Sequence, residues 1–229
     1  MNILQTLFGN GQLGMYGLAI VSTLKVTLVS FGISYLLGLP LGVLLYITGS
    51  NGIWPNKPLS TVLDVFVNII RSIPFIILLV MIQPLAKVVV GTKIGDNAFI
   101  FYLIVASFPY VARMIESSLR EVDSGVIEAA QSMGSDNWQI VTKVIIPEAK
   151  PSLIIGAAIA ITTILGYTPM AYLIAGSGLL GQLAIQYGLY RFDSKIMYIS
   201  SLLLIILVQI MQVTFNYFAK KTDKRIRGK

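Results

Sequence analysis

Polar side chains inside an otherwise apolar stretch are the first sign of function in this sequence. Asp64, Asn68 and Arg71 are spaced four and three residues apart within residues 60–83, so a helix would place them on one face. An unpaired charge in hydrocarbon is costly, so these groups need a polar cavity or partners. They predict either a gate that meets a polar substrate or a structural polar cluster beside Pro74, and the structural interpretation is favoured.

A second set of candidate residues lies where a later apolar stretch is interrupted. Thr163, Tyr167 and Met170 share one helix face, and Pro169 and the glycine-rich residues 176–181 break the helix there. In transporters, broken helices present free backbone groups to a polar ligand, and Tyr167 and Met170 suit a soft apolar side chain. These three residues are predicted to line a substrate path, and ordinary core packing is an equally weighted alternative.

The third set forms a polar segment at residues 120–147, between two apolar stretches. Its candidate contact residues are Glu128, Ala129, Ala130, Met133, Gly134 and Pro147. Small residues let another chain approach closely, Met133 offers a soft apolar contact, and Glu128 can accept hydrogen bonds. The pattern predicts two short helices hinged at Gly134, the second capped by the aspartate before it and ended by Pro147. We expect a partner protein to dock here, the alternative being a helical hairpin without a partner.

The inventory of reactive side chains excludes several kinds of chemistry. The chain has no cysteine and no histidine, so thiolate chemistry, an imidazole base and the commonest metal ligands are all missing. It also lacks the G-x-x-x-x-G-K-[ST] loop that binds nucleotide phosphates. We therefore predict that the protein is not an enzyme, holds no metal and carries no cofactor of its own.

Composition places the chain in a membrane. Of its 229 residues, 55% are apolar and 12% are charged, whereas soluble domains carry about 25% charged residues. The mean hydropathy is +0.80. Because a membrane-spanning helix needs about 20 apolar residues, the sequence predicts an all-α polytopic membrane protein with a single transmembrane domain over residues 1–229. The five predicted spans lie near residues 18–47, 60–83, 95–116, 152–175 and 196–219.

The distribution of basic residues predicts how the spans are oriented. With the C-terminus in the cytoplasm, the cytoplasmic segments would contain eleven basic residues: Lys57, Arg113, Arg120, Lys143, Lys150, Lys220, Lys221, Lys224, Arg225, Arg227 and Lys229. The outer loops would contain four: Lys87, Lys93, Arg191 and Lys195. Because basic residues accumulate on the cytoplasmic side, we predict an outer N-terminus, a cytoplasmic C-terminus and a cytoplasmic 120–147 segment.

The 120–147 segment resembles the EAA loop of ATP-binding-cassette (ABC) importer permeases. That pattern is EAA, three residues, Gly, nine residues and I-x-L-P; here it reads Glu128-Ala129-Ala130, Gly134 and Val144-x-Ile146-Pro147. Over roughly residues 20–220 the chain is similar to the permease subunit of methionine ABC importers. The segments that carry this similarity are residues 67–80, 90–95 and 112–116, Gly166-Tyr167, Met170-Ala171, Gly178–Gly181 and Gln186–Gly188.

The resemblance implies the type I ABC importer permease fold and a subunit that forms the path for methionine. It implies L-methionine as the substrate and leaves D-methionine and methionine derivatives open. The implied partners are a second copy of the permease, two copies of a cytoplasmic ABC ATPase that binds ATP and magnesium, and an extracellular or periplasmic methionine-binding (lipo)protein. The 120–147 segment would couple the permease to the ATPase in a bacterial cell membrane.

Two alternative functions remain open at this point. A permease of the same class could carry another amino acid or a small osmolyte. A secondary transporter driven by an ion gradient is the alternative of a different class. Such proteins usually carry paired acids inside the membrane, whereas Asp64 is the only acid that lies away from the ends of a predicted span. In each case the other partner is membrane lipid, and no nucleic acid is expected.

Overall fold

The computed structural model describes residues 3–174 and 178–222, and that part of the chain contains helices and turns without β-strands. This agrees with the predicted all-α fold class. The α-helices are α1 (Ile3–Thr48), α2 (Lys57–Ser72), α3 (Phe75–Met81), α4 (Gln83–Val90), α5 (Gly95–Arg120), α6 (Ser124–Ser132), α7 (Asn137–Gln139), α8 (Ile146–Gly166), α9 (Leu180–Ile185) and α10 (Ser194–Thr222). Shorter turns of other helical types join some of them: π-helical turns at Ile140–Ile145 and Gln186–Tyr190, and a 3₁₀ turn at Thr168–Leu173.

Four described helical stretches are long and apolar enough to cross a membrane. They are Leu13–Thr48, Gly95–Arg120, Asn137–Leu173 and Ser194–Thr222. The pair α2 and α3 makes a fifth if its two bent halves count as one span. The prediction of five spans is therefore confirmed if α2 and α3 count as one span. The helix of the predicted third span, 95–116, continues to Arg120.

The second predicted span is broken in the middle. Asn56 caps the start of α2, because its side-chain oxygen accepts a hydrogen bond from the Leu59 N–H at 3.2 Å. Proline disfavours helical backbone in the residue before it, and Ile73, which precedes Pro74, is extended at φ −83° and ψ 122°. The chain resumes as α3 after a bend of 102°.

The prediction that Pro147 ends a helix is wrong. The helical backbone runs from Asn137 through Pro147 into α8. Proline cannot donate the backbone hydrogen bond that an α-helix requires at that position. A wide π-helical turn at Ile140–Ile145 comes just before it, and this change in backbone pairing lets the helix continue past the missing donor.

The chain divides into two compact units. The second contains Gly32–Pro74, Val105–Ala160 and Met211–Lys229, as far as they are described. Its core joins α1, α2 and α5 through Leu45, Val67 and Ala112. The G-x-x-x-G spacing in α1 lets the α5 backbone come close, because a Cβ at Gly42 would stand 2.6 Å from the Ala112 carbonyl oxygen.

The first unit contains Met1–Phe31, Phe75–Ile104 and Ile161–Ile210, again as far as they are described. Its core is aromatic: Phe75 lies edge-on to Phe99 with ring centroids 6.2 Å apart, and Tyr167 stacks on Phe75 at 4.5 Å. Tyr102 is buried, and its hydroxyl donates a hydrogen bond to the Lys93 carbonyl at 3.0 Å. Buried aromatic rings with paired hydroxyls fix the turn before α5 against the body of this unit.

Candidate functional site

The 120–147 segment begins with a short capped helix. The Asp123 side chain accepts a hydrogen bond from the Gly125 N–H at 2.7 Å, which starts α6. The helix ends where Gly134 adopts φ +79°. The Ser135 N–H donates to the Ala130 carbonyl and the Gly134 N–H donates to the Gln131 carbonyl, which together form a Schellman motif. The predicted hinge at Gly134 is thus a helix terminus that a left-handed residue makes possible.

The candidate contact residues of α6 do not all face the same way. Met133 is 80% exposed, and Glu128, Ala129 and Gly134 are exposed as well. Ala130 is only 3% exposed and packs inward. Four of the predicted residues are therefore accessible, in α6 or at its C-terminal end, whereas Ala130 packs within the chain.

The second half of the segment begins as predicted. The Asp136 side chain accepts from the Gln139 N–H at 2.8 Å and caps α7. Ile140, Val141 and Ile145 in the π-helical turn that follows are buried. Pro147 is exposed, on helical backbone that continues into a membrane-spanning stretch. The second half of the segment is thus continuous with a span.

An apolar hollow of about 240 Å³ lies beside α7. Trp54 and Trp138 line it together with the C-terminal part of α1 and Val141. Both tryptophans are exposed. We call this feature the tryptophan hollow.

An ionic chain joins α2 to α5, and its cation was not predicted. Arg113 pairs with Asp64 at 2.8 Å and donates to the Asn68 side-chain oxygen at 3.2 Å. Its other terminal nitrogen pairs with Glu116 at 2.6 Å, and the second oxygen of the buried Glu116 pairs with Arg120 at 2.7 Å. Charges in a membrane protein are retained when they are paired in this way, so the arrangement fits the structural interpretation.

Arg71 does not join Asp64 and Asn68. Its side chain is exposed and forms no ion pair with any described residue. Asp64 and Asn68 do share a helix face, as their spacing predicts, but the cation that contacts them is Arg113 on α5. The signal that could have found Arg113 is a second charged group, Arg113 with Glu116, at the end of the third predicted span.

The three predicted path residues lie at the end of α8 and just beyond it. The α-helix ends at Gly166 and a 3₁₀ turn follows from Thr168, so the predicted interruption of this span is confirmed. Thr163, Tyr167 and Met170 are each half-buried, and the ring face of Tyr167 is stacked on Phe75.

The chain that follows the 3₁₀ turn packs tightly against it. A Cβ at Gly181 would stand 2.5 Å from the Pro169 nitrogen, so α9 lies directly against the 3₁₀ turn. The first N–H of α9, on Leu180, donates to the buried Thr23 hydroxyl oxygen at 3.0 Å, and that hydroxyl donates to the Ala19 carbonyl at 2.7 Å. Thr23 thus fixes the start of α9 from α1, a role that sequence spacing did not indicate.

Among the described residues, no group of three or more acidic side chains is placed to hold a metal ion. The described part of the chain thus combines an exposed short helix, an ionic chain between α2 and α5 and an interrupted span.

Residues 38–228 match the family of binding-protein-dependent transport system inner membrane components. The chain belongs to this family. A probable D-methionine transport system permease protein of Vibrio cholerae serotype O1 is 43% identical over 203 residues, which cover 89% of this chain and 90% of the relative. A methionine import system permease protein of Bacillus subtilis strain 168 is 40% identical over 182 residues, covering 80% and 82% of the two chains.

A solved structure extends this permease family likeness to three dimensions. A chain of a methionine ABC transporter, crystallised in inward-facing conformations, superimposes on this permease with a TM-score of 0.91 at 39% identity. The match covers 94% of this chain and all of the other. The type I importer permease fold is therefore the fold of this chain.

Proposed function

We propose that this permease is the membrane-spanning subunit of an ATP-driven importer and forms the path for methionine. The observation that carries the proposal is the full-length likeness to a chain of a methionine ABC transporter, at a TM-score of 0.91. Two relatives that match over most of their length are named for methionine transport or import. L-Methionine is the expected substrate, and D-methionine and methionine derivatives are further candidates.

The partners follow from this assignment. A second copy of the permease completes the path, two copies of a cytoplasmic ABC ATPase bind ATP and magnesium, and an extracellular or periplasmic methionine-binding (lipo)protein delivers the substrate. The permease itself is not an enzyme, and ATP hydrolysis belongs to the ATPase subunit. The absence of a phosphate-binding loop in the sequence supports this division of labour.

The exposed end of α6 is the proposed contact with the ATPase. Glu128, Ala129, Met133 and Gly134 are all exposed, and they offer an acceptor, small residues and a soft apolar side chain. Ala130 packs inward from α6, and Pro147 is an exposed residue further along the 120–147 segment. Because helical backbone runs from Asn137, just after α6, into a span, we expect movement of the ATPase to be transmitted to the membrane helices.

The remaining predicted residues receive separate roles. Thr163, Tyr167 and Met170 contribute to the substrate path, where the α-helix ends at Gly166 and a 3₁₀ turn follows. Asp64 and Asn68 act with Arg113 as a structural clamp between α2 and α5. Arg71, exposed and unpaired among the described residues, is the member of the original set that is available for gating.

Transport then proceeds by alternating access. ATP draws the two ATPase subunits together, the 120–147 segments move with them, and the spans open to the outside to receive substrate. Hydrolysis restores the inward-open state. Nucleotide can shift this equilibrium only by its differential affinity for the two states, so a rigid contact at α6 is essential to the coupling.

Reconstitution tests the assignment. With the ATPase and the binding protein present, proteoliposomes should take up labelled methionine only when ATP is supplied to the ATPase, and excess unlabelled methionine should compete better than other amino acids. Uptake driven by a proton or sodium gradient without ATP would instead identify a secondary transporter. Stronger competition by another amino acid would keep the importer class and replace the substrate.

Two glycine substitutions test the proposed role of α6 in coupling to the ATPase. Gly134→Asp should lower uptake about tenfold or more while ATP hydrolysis continues, because the altered helix end no longer docks on the ATPase. Gly91→Asp is the matched control, because Gly91 also ends a helix, is exposed and adopts φ +80°. Equal uptake in the two variants, or equal loss, would contradict a specific docking role for α6.

A further inference from the structure

A cleft lined by both polar and aromatic side chains opens in the first unit beyond the interrupted span. Its volume is about 810 Å³, within the range of sites for small molecules. The residues that matter for the argument are Tyr172, Gln182, Gln186, Tyr190 and Arg191. We call it the Gln182 cleft; it does not include the three predicted path residues.

The first observation is a buried acceptor without a donor. Gln182 is only 7% exposed, and its side-chain oxygen accepts no hydrogen bond within the described residues. Buried polar atoms are paired in the great majority of cases, because an unpaired one loses its hydration without compensation. A donor brought in by a molecule that enters the cleft would satisfy this oxygen.

The second observation is a cation without an anion. Arg191 lies 4.7 Å from the centroid of the Tyr187 ring and forms no ion pair with a described carboxylate. A guanidinium group binds carboxylates through two parallel hydrogen bonds, and stacking on an aromatic ring preorganises it for that task. The cleft therefore carries a ready partner for an anionic group.

The local backbone is unusual on the same side of the cleft. Residues Gln186–Tyr190 form a π-helical turn, which is rare and frequent at functional sites. Directly after it, Phe192 adopts φ +55°, a left-handed conformation that is unfavourable for a bulky residue. Such strain accumulates at ligand sites, where it holds side chains in place.

An aromatic wall completes the arrangement. The rings of Tyr172 and Tyr190 are tilted towards each other with centroids 6.0 Å apart. Aromatic rings attract thioether sulfur and accept aliphatic groups. The cleft thus offers an acceptor for an ammonium group, a cation for a carboxylate and a soft wall for an apolar side chain.

We propose that the Gln182 cleft binds a free amino acid as its zwitterion. Arg191 holds the α-carboxylate, the Gln182 oxygen accepts from the α-ammonium group, and the side chain lies against Tyr172 and Tyr190. The identity of the amino acid as methionine rests on the proposed function; the recognition of a zwitterion with an apolar side chain does not.

Matched ligands and variants test the proposal in the reconstituted permease–ATPase complex. Binding of radiolabelled L-methionine is measured directly, and affinities for analogues are measured by competition. Arg191→Gln should weaken methionine about tenfold and leave methioninol, which lacks the carboxylate, unchanged. Gln182→Leu should weaken methionine by a similar factor and leave N-acetylmethionine, which lacks the ammonium group, unchanged. Lys87→Gln and Gln83→Leu, both outside the cleft, are the control variants and should bind like the native complex.

Other outcomes distinguish a failure of the cleft proposal from a failure of the proposed function. If both cleft variants bind and transport methionine with unchanged affinity and KM, the importer assignment stands and the cleft proposal is overturned. If the complex prefers a different apolar amino acid with the same dependence on Arg191 and Gln182, the cleft proposal stands and methionine is replaced. If Gln182→Leu alters only the oligomeric state, the missing donor comes from the second permease copy and the proposal is overturned.

Discussion

Arg113 shows at the residue scale what sequence spacing can and cannot find. The i, i+4 spacing of Asp64 and Asn68 correctly placed two polar groups on one helix face. The cation that neutralises Asp64 is Arg113, which lies 49 residues further along the chain on α5, and not Arg71 on the same helix. Pairing between helices depends on which faces pack together, and local periodicity carries no information about that choice.

The buried Glu116 should be the most sensitive member of the ionic chain. It separates Arg113 from Arg120 and pairs with both, so Glu116→Gln leaves two neighbouring cations without their shared anion. We expect the variant to lose about 1.5–3 kcal/mol of stability. The measurement is the apparent melting temperature of the detergent-solubilised permease, read from the fraction that remains monodisperse after heating.

The exposed Glu128 provides the control for that experiment. Glu128→Gln removes the same charge from an exposed position on α6 and should change stability by less than about 0.5 kcal/mol. Equal melting temperatures for the two variants would show that the ionic chain adds nothing to the fold.

At the element scale, caps and breaks were predictable and continuations were not. The aspartate that caps α7, the break at Pro74 and the interruption near Gly166 all follow from local chemistry. The continuation of the helix past Pro147 does not follow from local chemistry, because it depends on the π-helical turn before it. A backbone that shifts its hydrogen-bond register leaves no periodic signal in the side chains.

The close approach of α9 to the 3₁₀ turn is a second feature set by packing. Gly181→Ala would place its Cβ 2.5 Å from the Pro169 backbone nitrogen, so one element has to move. We expect a loss of about 1–3 kcal/mol, measured as a lower apparent melting temperature. Gly166→Ala is the control, since no atom lies within 4 Å of its added Cβ. A Gly181→Ala variant as stable as the control would show that α9 does not rest on the turn.

At the scale of the whole molecule, composition and hydrophobic length were sufficient for the fold class. The apolar stretches predicted the spans because a membrane imposes a minimum length on each one. Helix ends are a different property from span ends: α1 begins at Ile3 and α8 at Ile146, both well before the predicted spans. Where a helix continues beyond the hydrocarbon, its polar part cannot be distinguished from a loop by hydrophobicity alone.

Orientation is the whole-molecule property that rests on charge alone, and single cysteines can test it. The native chain has no cysteine, so Met133→Cys and Phe192→Cys each introduce one exposed thiol without background. A membrane-impermeant maleimide should label Phe192→Cys in intact cells and Met133→Cys only after permeabilisation. Co-expression of the ATPase should then protect Met133→Cys. Labelling of Met133→Cys from outside would reverse the topology and remove α6 from the ATPase.

The tryptophan hollow has a practical consequence for observing this permease at work. Trp54 and Trp138 are the two tryptophans of the sequence, and both line the same hollow beside α7. All indole emission of the purified subunit therefore arises at a single place, next to the segment proposed to receive the ATPase. The fluorescence of the native protein is a built-in reporter, and its wavelength and quenching follow that junction without any attached dye.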